Sequence, residues 1–375
     1  MTKDTVALDR RHQTRNSMYR YLYETQTPRS KPEIARALGL SMPTVHQNMA
    51  ELMDLGYICA GGMQSSNGGR RAVGYTIEPA ARFSVGVSVT GDNIRFFAAN
   101  LRLEKLAYKK IPFHLLTSFQ GCIQKISDEL EDFLDENQLD RAKLLGVGVA
   151  FPGVIDEVHR RIVLAPTLQL QNIGLQELDM IPYPTFVDND GNCGGFAEWF
   201  MLHDSRNIAY LSLEDGVGGA VMLNGAPYSG SNGRSGEFGH ICVERDGHTC
   251  HCGQRGCLEA YCSARRLSEE QGITLEQFFA RLAAGDRQCA VLWDDLLDHL
   301  AVGVKAIRMT LDCDVVVGGF LAQYLEPYLD VLRHRAAVLD TFGGDGTYIR
   351  LGKDPCHAVV RGAALHYIQE FLERA

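Results

Sequence analysis

No stretch of this 375-residue chain approaches the roughly 20 consecutive apolar residues that a bilayer-spanning helix requires. No basic start followed by an apolar run marks a secretion signal either. Both absences point to a cytoplasmic protein, and in a reducing compartment eleven cysteines do not form a disulfide framework. An overall basic excess is missing too, since the formal net charge is −9. What is present is 45% hydrophobic content and enough length for two or three domains with sizeable cores.

The charge is unevenly spread. Residues 1–80 carry ten Lys/Arg against seven Asp/Glu, whereas the remaining 295 carry 27 against 39. Any nucleic-acid contact therefore belongs to the N-terminal head. The cysteines are uneven as well. Cys122, Cys289 and Cys313 stand alone as small core residues, but "HTCHCGQRGCLEAY", residues 248–261, holds Cys250, Cys252 and Cys257 around the turn-forming Gly253 and Gly256. Three such thiols make three corners of a tetrahedral metal site. His240, His248, His251, Cys242 and Cys262 are all candidates for the fourth.

The head reads as helices. Asn16–Tyr23 is helical in pattern; "SKPEIARALGL" begins at the cap Ser30 with Pro32 in its first turn; Gly39 permits a tight turn; and Ser41 caps a third helix. Val45, Met49 and Leu52 share the inward face of that helix, leaving Thr44, His46 and Gln47 outward, where such side chains reach base edges in a major groove. The next segment, "GYICAGGMQSSNGGRRAVGYTI", reads as strand, loop and strand, a wing whose Arg70 and Arg71 suit phosphates or a narrow minor groove. A winged helix-turn-helix over residues 1–80 is the expectation, with operator DNA as partner.

Beyond Pro79 the chain becomes α/β. "FSVGVSV", "IRFFAAN" and "LLGVGVAFPGVID" read as strands, "QGCIQKISDELEDFLDEN" as a helix, and "TFVDNDGNCGGFAEWF" as strand, loop and helix. The series then restarts with "RNIAYLSLEDGVGGAVMLNG" and "CDVVVGGF". Two α/β lobes, 81–190 and 191–375, with a cleft between them, are predicted.

The run "LEDGVGGAVMLNGAPYSGSNGRSGEFGH" followed by "CHCGQRGCLEA" resembles the signature of the ROK family of sugar kinases and sugar-responsive repressors, and the resemblance covers essentially the whole chain. It implies a two-lobed actin-like, hexokinase-like ATPase fold behind the winged head. It also implies a structural Zn2+ on His240, Cys250, Cys252 and Cys257, a closed set with no open coordination position. By the same transfer Gly153, Asn189, Asp190, Glu237, His240 and Glu259 line a monosaccharide pocket, with His240 using one ring nitrogen for metal and the other for sugar.

The departures from the family separate repressor from kinase. Where its kinases have Asp-x-Gly-Gly-Thr, this chain has Ser88-Val89-Thr90-Gly91-Asp92; where they have Gly-Thr-Gly-x-Gly-Gly, it has Glu214-Asp215-Gly216-Val217-Gly218-Gly219. Acids at these turns repel a triphosphate. Asp190, matching the kinases' general base, is retained without an assigned catalytic role. The expected protein is a sugar-responsive DNA-binding regulator of carbohydrate-uptake or catabolism genes, a repressor acting as a homodimer or higher oligomer. An active sugar kinase with an attached DNA-binding head is the alternative, and a sensor of a phosphosugar or a phosphotransfer protein is a third reading. Thr167, where many family members have asparagine, argues against glucose itself.

Overall fold

The computed structural model describes residues 3–63, 72–114, 118–156 and 159–375; Arg70 and Arg71 lie outside the described residues. In the head, α1 (Lys3–Thr25) runs well beyond the segment its periodicity marks. After β1 (Arg29–Ser30), α2 (Lys31–Leu38) starts where the Glu33 carboxylate accepts both the Ser30 N–H and hydroxyl at 2.7 Å, and it stops at left-handed Gly39, φ 63°. In α3 (Met42–Asp54), Val45, Met49 and Leu52 are fully buried while His46 and Gln47 are exposed. β2 (Ile58–Met63) and β3 (Val73–Ile77) form an antiparallel hairpin, with β1 on the far edge of β3. The described head is thus three helices with a three-stranded antiparallel sheet. Glu51 of α3 receives Arg11 and Arg15 of α1, pinning the first helix across the third.

The body repeats one sheet twice. The first lobe has β4 (Phe83–Val89), β5 (Asn93–Asn100), β6 (Lys105–Pro112), α4 (Phe119–Glu136), β7 (Leu144–Phe151) and β11 (Thr185–Asn189), in sheet order β11-β7-β4-β5-β6. A separate small sheet of β8 (Val154–Asp156), β9 (Arg161–Ala165) and β10 (Leu170–Gly174) is inserted before β11. The predicted strand-to-turn at 144–156 thus continues into a second strand. β11 passes straight into α5 (Asp190–Leu202) with Asn189 as its cap, so the loop expected there is absent. The second lobe has β12 (Ile208–Leu213), β13 (Val217–Leu223), β14 (Ala226–Pro227), α6 (Glu259–Cys262), α7 (Ala264–Leu267), α8 (Leu275–Ala283), α9 (Arg287–Leu311), β15 (Asp314–Gly318), α10 (Leu329–Val338) and β16 (Ile349–Leu351). Its order, β14-β13-β12-β15-β16, reproduces the first in mirror listing: β4 and β12 each pair antiparallel with the next strand and parallel with a later one.

The last helix, α11 (Ala358–Arg374), leaves the second lobe and packs on the first, so the division at residue 190 does not hold for the C-terminus. Glycines make this possible. A Cβ at Gly86 would lie 1.8 Å from Val360 O, one at Gly148 2.0 Å from Ala363 O, and one at Gly362 1.7 Å from Cys193 O of α5. Backbone thus meets backbone on both faces of the helix. Its other end enters the head: Leu365, Ile368 and Leu372 share a core with Met18, Tyr19 and Leu22, and Phe371 packs edge-on against Tyr19 and Tyr57. Asn16 Nδ2 donates to Leu372 O at 3.1 Å. Head and body are one packed unit through this helix. Among the described residues no helix is long and apolar enough to cross a membrane.

Candidate metal and ligand site

The thiol-rich loop folds by backbone turns before any metal is considered. Cys250 N–H donates to Gln254 O and Gly253 N–H to Cys250 O, while Gly253 (φ 84°) and Gly256 (φ 78°) take left-handed conformations. These turns converge His240, Cys250, Cys252 and Cys257, whose donor atoms all lie within 4.8 Å of one another. Cys252 Sγ to Cys257 Sγ is 3.8 Å, and Cys250 Sγ to His240 Nδ1 is 3.9 Å. Metal–sulfur bonds of about 2.3 Å in a tetrahedron span an edge of about 3.8 Å. The donor set fits a metal ion. Burial pushes the Cys250 thiol up to about 12, which a cation must offset for the sulfur to ligate as thiolate.

His240 turns its other nitrogen, Nε2, toward Glu237 Oε2 at 4.0 Å. His251 does not join the four-donor set. Its Nδ1 contacts Glu259 Oε1 and lies 3.8 Å from Cys250 Sγ, making a second group, Cys250, His251 and Glu259, that shares one thiol with the first. Glu259 Oε2 accepts the Val217 N–H at 2.9 Å, so this carboxylate ties the thiol loop to the β12–β13 turn. Tyr261 supports the loop from behind, stacked on His299 at 3.7 Å and accepting the His248 N–H. Sequence reading missed His299; it lies on one face of α9, too far along the chain for spacing to connect it.

At the β11–α5 junction, Asn189 Oδ1 accepts the Asn192 N–H at 3.0 Å and its Nδ2 donates to Gly153 O at 2.7 Å. Gly153 has φ 115°, and a Cβ there would lie 2.2 Å from Leu164 O, which explains glycine at this position. The Asp190 carboxyl is raised to about 7, by burial first and by the nearby Glu214 and Glu237 next. An acid and two like-charged neighbours therefore lie close together at the start of α5.

The two turns that resemble altered phosphate loops also meet here. Thr90 Oγ1 is spent within its own turn, accepting Asn93 N–H and donating to Asn93 O, both at 3.2 Å. Burial pushes Glu214 and Asp215 up, partly offset for both by the Arg95 guanidinium of β5. Arg95, whose Nε donates to Asn93 Oδ1 at 2.9 Å, is a second residue that sequence reading passed over. Strand alternation alone did not mark it out.

Asp190 supplies a prediction. The carboxyl ionises near pH 7 in the folded protein and near 3.8 in the unfolded chain, so ionisation removes stability progressively as pH rises between those values. Asp190→Asn should match the parent near pH 4 and exceed it by roughly 1–3 kcal/mol at pH 8. Urea unfolding at the two pH values measures this; an equal difference at both would contradict it.

In the head, the structure places Thr44, His46 and Gln47 on α3, but not equivalently. The Thr44 hydroxyl pairs with Ser41 Oγ at 2.8 Å and is drawn into the cap, because the cap hydroxyl lies within one turn of it. His46 and Gln47 remain exposed, with Lys31 Nζ 3.3 Å from His46 Nδ1.

The chain joins a head of helices and a small sheet to a duplicated α/β body that carries a Cys3His loop. The ROK family model matches residues 84–365, and the chain belongs to the ROK family. It is 24% identical over 374 residues to a xylose repressor of Caldicellulosiruptor bescii, covering 92% of each chain. It is 29% identical over 263 residues to the DNA-binding transcriptional dual regulator NagC of Escherichia coli K12, covering 69% of this chain and 64% of that one. Among solved structures, a ROK family transcriptional regulator described as a homolog of the E. coli MLC protein superimposes with TM-score 0.73 at 20% identity, over 96% of this chain and 100% of the other.

Proposed function

We propose that this protein is a sugar-responsive transcriptional repressor that binds operator DNA through its head and a free monosaccharide between its lobes. What carries the reading is the pairing of a head read as a winged helix-turn-helix with a body in which Asp92, Glu214 and Asp215 stand at the turns that resemble phosphate loops. Relatives named as repressors, one of them matched over 92% of this chain, support it.

In this reading Asn189, Asp190, Glu237, His240, Glu259 and the backbone at Gly153 hold sugar hydroxyls. The free N–H of Asn189 donates, and ionised Asp190 accepts; a misplaced hydroxyl leaves one of them unpaired, which is how the stereoisomer is selected. Because the ligand favours ionised Asp190, sugar affinity rises as pH passes upward through about 7. His240, Cys250, Cys252 and Cys257 would hold Zn2+, which would cross-link the loop and supply no reaction chemistry, since the four donors are all protein side chains. His240 Nδ1 then faces the metal and Nε2 the sugar.

No phosphoryl transfer is assigned. At each phosphate turn a carboxylate stands where a triphosphate would approach, and at an effective dielectric near 20 each such pair about 4 Å apart costs roughly 4 kcal/mol. Arg95, with Arg265 beside Asp215, offsets only part of this.

The route from ligand to DNA runs through α5 and α11. α5 begins at the sugar-facing Asp190 and packs along α11, whose distal residues form the head's core. Closing the lobes on sugar shifts α11 and with it the head, and in a homodimer this changes the spacing of two recognition helices on a palindromic operator.

Gln47→Ala is expected to lower affinity for the operator roughly 10-fold with a small effect on non-specific DNA, as loss of one base contact does. Arg70→Ala with Arg71→Ala should weaken both and reduce the salt slope by about two. Fluorescence anisotropy across a salt series separates these outcomes. Equal losses on both DNAs for Gln47→Ala would remove it from base readout.

A further inference from the structure

Outside the four-donor set, one more thiol reaches the loop. Cys242 is exposed and forms an antiparallel bridge with Cys257. The flanking hydrogen bonds, Val243 N–H to Gly256 O and Leu258 N–H to Ile241 O, both 2.8 Å, identify these two as a non-hydrogen-bonded pair. In such pairs the Cα atoms are about 4.5 Å apart and the side chains lie on the same face. That is within the roughly 4.4–6.8 Å that a disulfide spans. The Cys242 sulfur points toward the facing strand, 3.9 Å from Arg255 O and beside the Cα of Gly256.

We propose that Cys242 is an oxidation site, and that a hydroperoxide converts the Cys242–Cys257 pair to a disulfide that takes Cys257 away from the metal. This rests on the zinc reading of the loop. With hydrogen peroxide, the Cys242 sulfur attacks one oxygen, the O–O bond breaks, the other oxygen departs as water with the thiol proton, and Cys242 is left as a sulfenic acid. The Cys257 thiolate then attacks that sulfur, the S–S bond forms, the S–O bond breaks and hydroxide departs. The peroxide is reduced by two electrons and the two sulfurs are oxidised together by two; with Cys257 in the disulfide, His240, Cys250 and Cys252 would be left as three donors that hold a metal ion more weakly.

Three features favour this pair. Cys257 is 2% exposed and shielded from direct attack, whereas Cys242 is open to solvent. No strand has to move to join them. His240 and Glu259 flank the same loop, so losing the metal loosens two residues placed at the ligand site.

The test uses the full chain, with zinc quantified first, exposed to hydrogen peroxide. Zinc release is followed with a chromogenic chelator, and cysteine pairing is mapped by mass spectrometry after alkylation without reduction. A Cys242–Cys257 linkage is expected, with zinc release slowed at least roughly fivefold in Cys242→Ser and in Cys242→Ala. Linkages confined to Cys250, Cys252 and Cys257, with release unchanged in both variants, would overturn the proposal. Absence of zinc in the starting protein would strike the metal reading, while the pairing map would still decide whether Cys242 and Cys257 join.

Discussion

Cys257→Ser is expected to reduce bound metal from about one ion per chain to below about 0.1, and to lower the melting temperature by roughly 5–10 °C. Cys257 is buried, its sulfur 3.8 Å from that of Cys252, and the loop around it is otherwise held by a few backbone turns. Three donors leave an ion with an open position and weaker binding. The control is Cys262→Ser, a buried thiol outside the donor set that donates to Leu296 O, which should keep full metal content. Metal analysis with calorimetry distinguishes the two. Full occupancy in Cys257→Ser would mean that the four donors do not act as one site.

Gly148→Val carries the other large effect. The new Cβ would lie 2.0 Å from the Ala363 carbonyl oxygen, and no flexible side chain is there to yield, so α11 must shift off the sheet. A loss of about 3 kcal/mol or more is expected. Because α11 also builds the head's core with Met18, Tyr19 and Leu22, operator affinity should fall although residue 148 lies in the body. Gly253→Ala tests the contrast: its Cβ meets nothing within 4 Å, and only its φ of 84° is unfavourable, so a cost of about 1 kcal/mol is expected. Urea denaturation with anisotropy on operator DNA measures both. Parent-like stability in Gly148→Val would refute the close packing of α11.

Much of this was legible in the residues because it is written locally. The strand Phe83–Val89 appears as an unbroken run of apolar and small residues; Ser41 caps α3 where it stands before Pro43; and three thiols within eight positions announce a metal loop. What escaped depends on contacts between distant segments. Nothing around Ala358–Arg374 says that it will cross to the first lobe, since the glycines that receive it lie at 86 and 148. The hydroxyl of Thr44 reads as outward by helical phase, but a cap partner three residues earlier captures it. Asn189 and Asp190 looked like loop because Asn, Asp and Gly favour turns, whereas here Asn189 is the cap that starts α5 immediately. For Glu259, motif resemblance pointed to sugar, and the structure adds what resemblance did not: its oxygens already meet Val217 and His251.

The most direct test of the account is a titration of operator DNA with purified protein, repeated with a panel of monosaccharides and their phosphates, alongside a coupled assay for ATP turnover. The account predicts that one unphosphorylated sugar changes operator affinity by roughly 5- to 150-fold, that Glu259→Gln blunts this change while leaving sugar-free DNA binding intact, and that no sugar-dependent ATP hydrolysis accompanies it. Sugar-dependent ATP turnover that Asp190→Asn abolishes, with operator affinity indifferent to every sugar, would contradict it and make this chain a kinase.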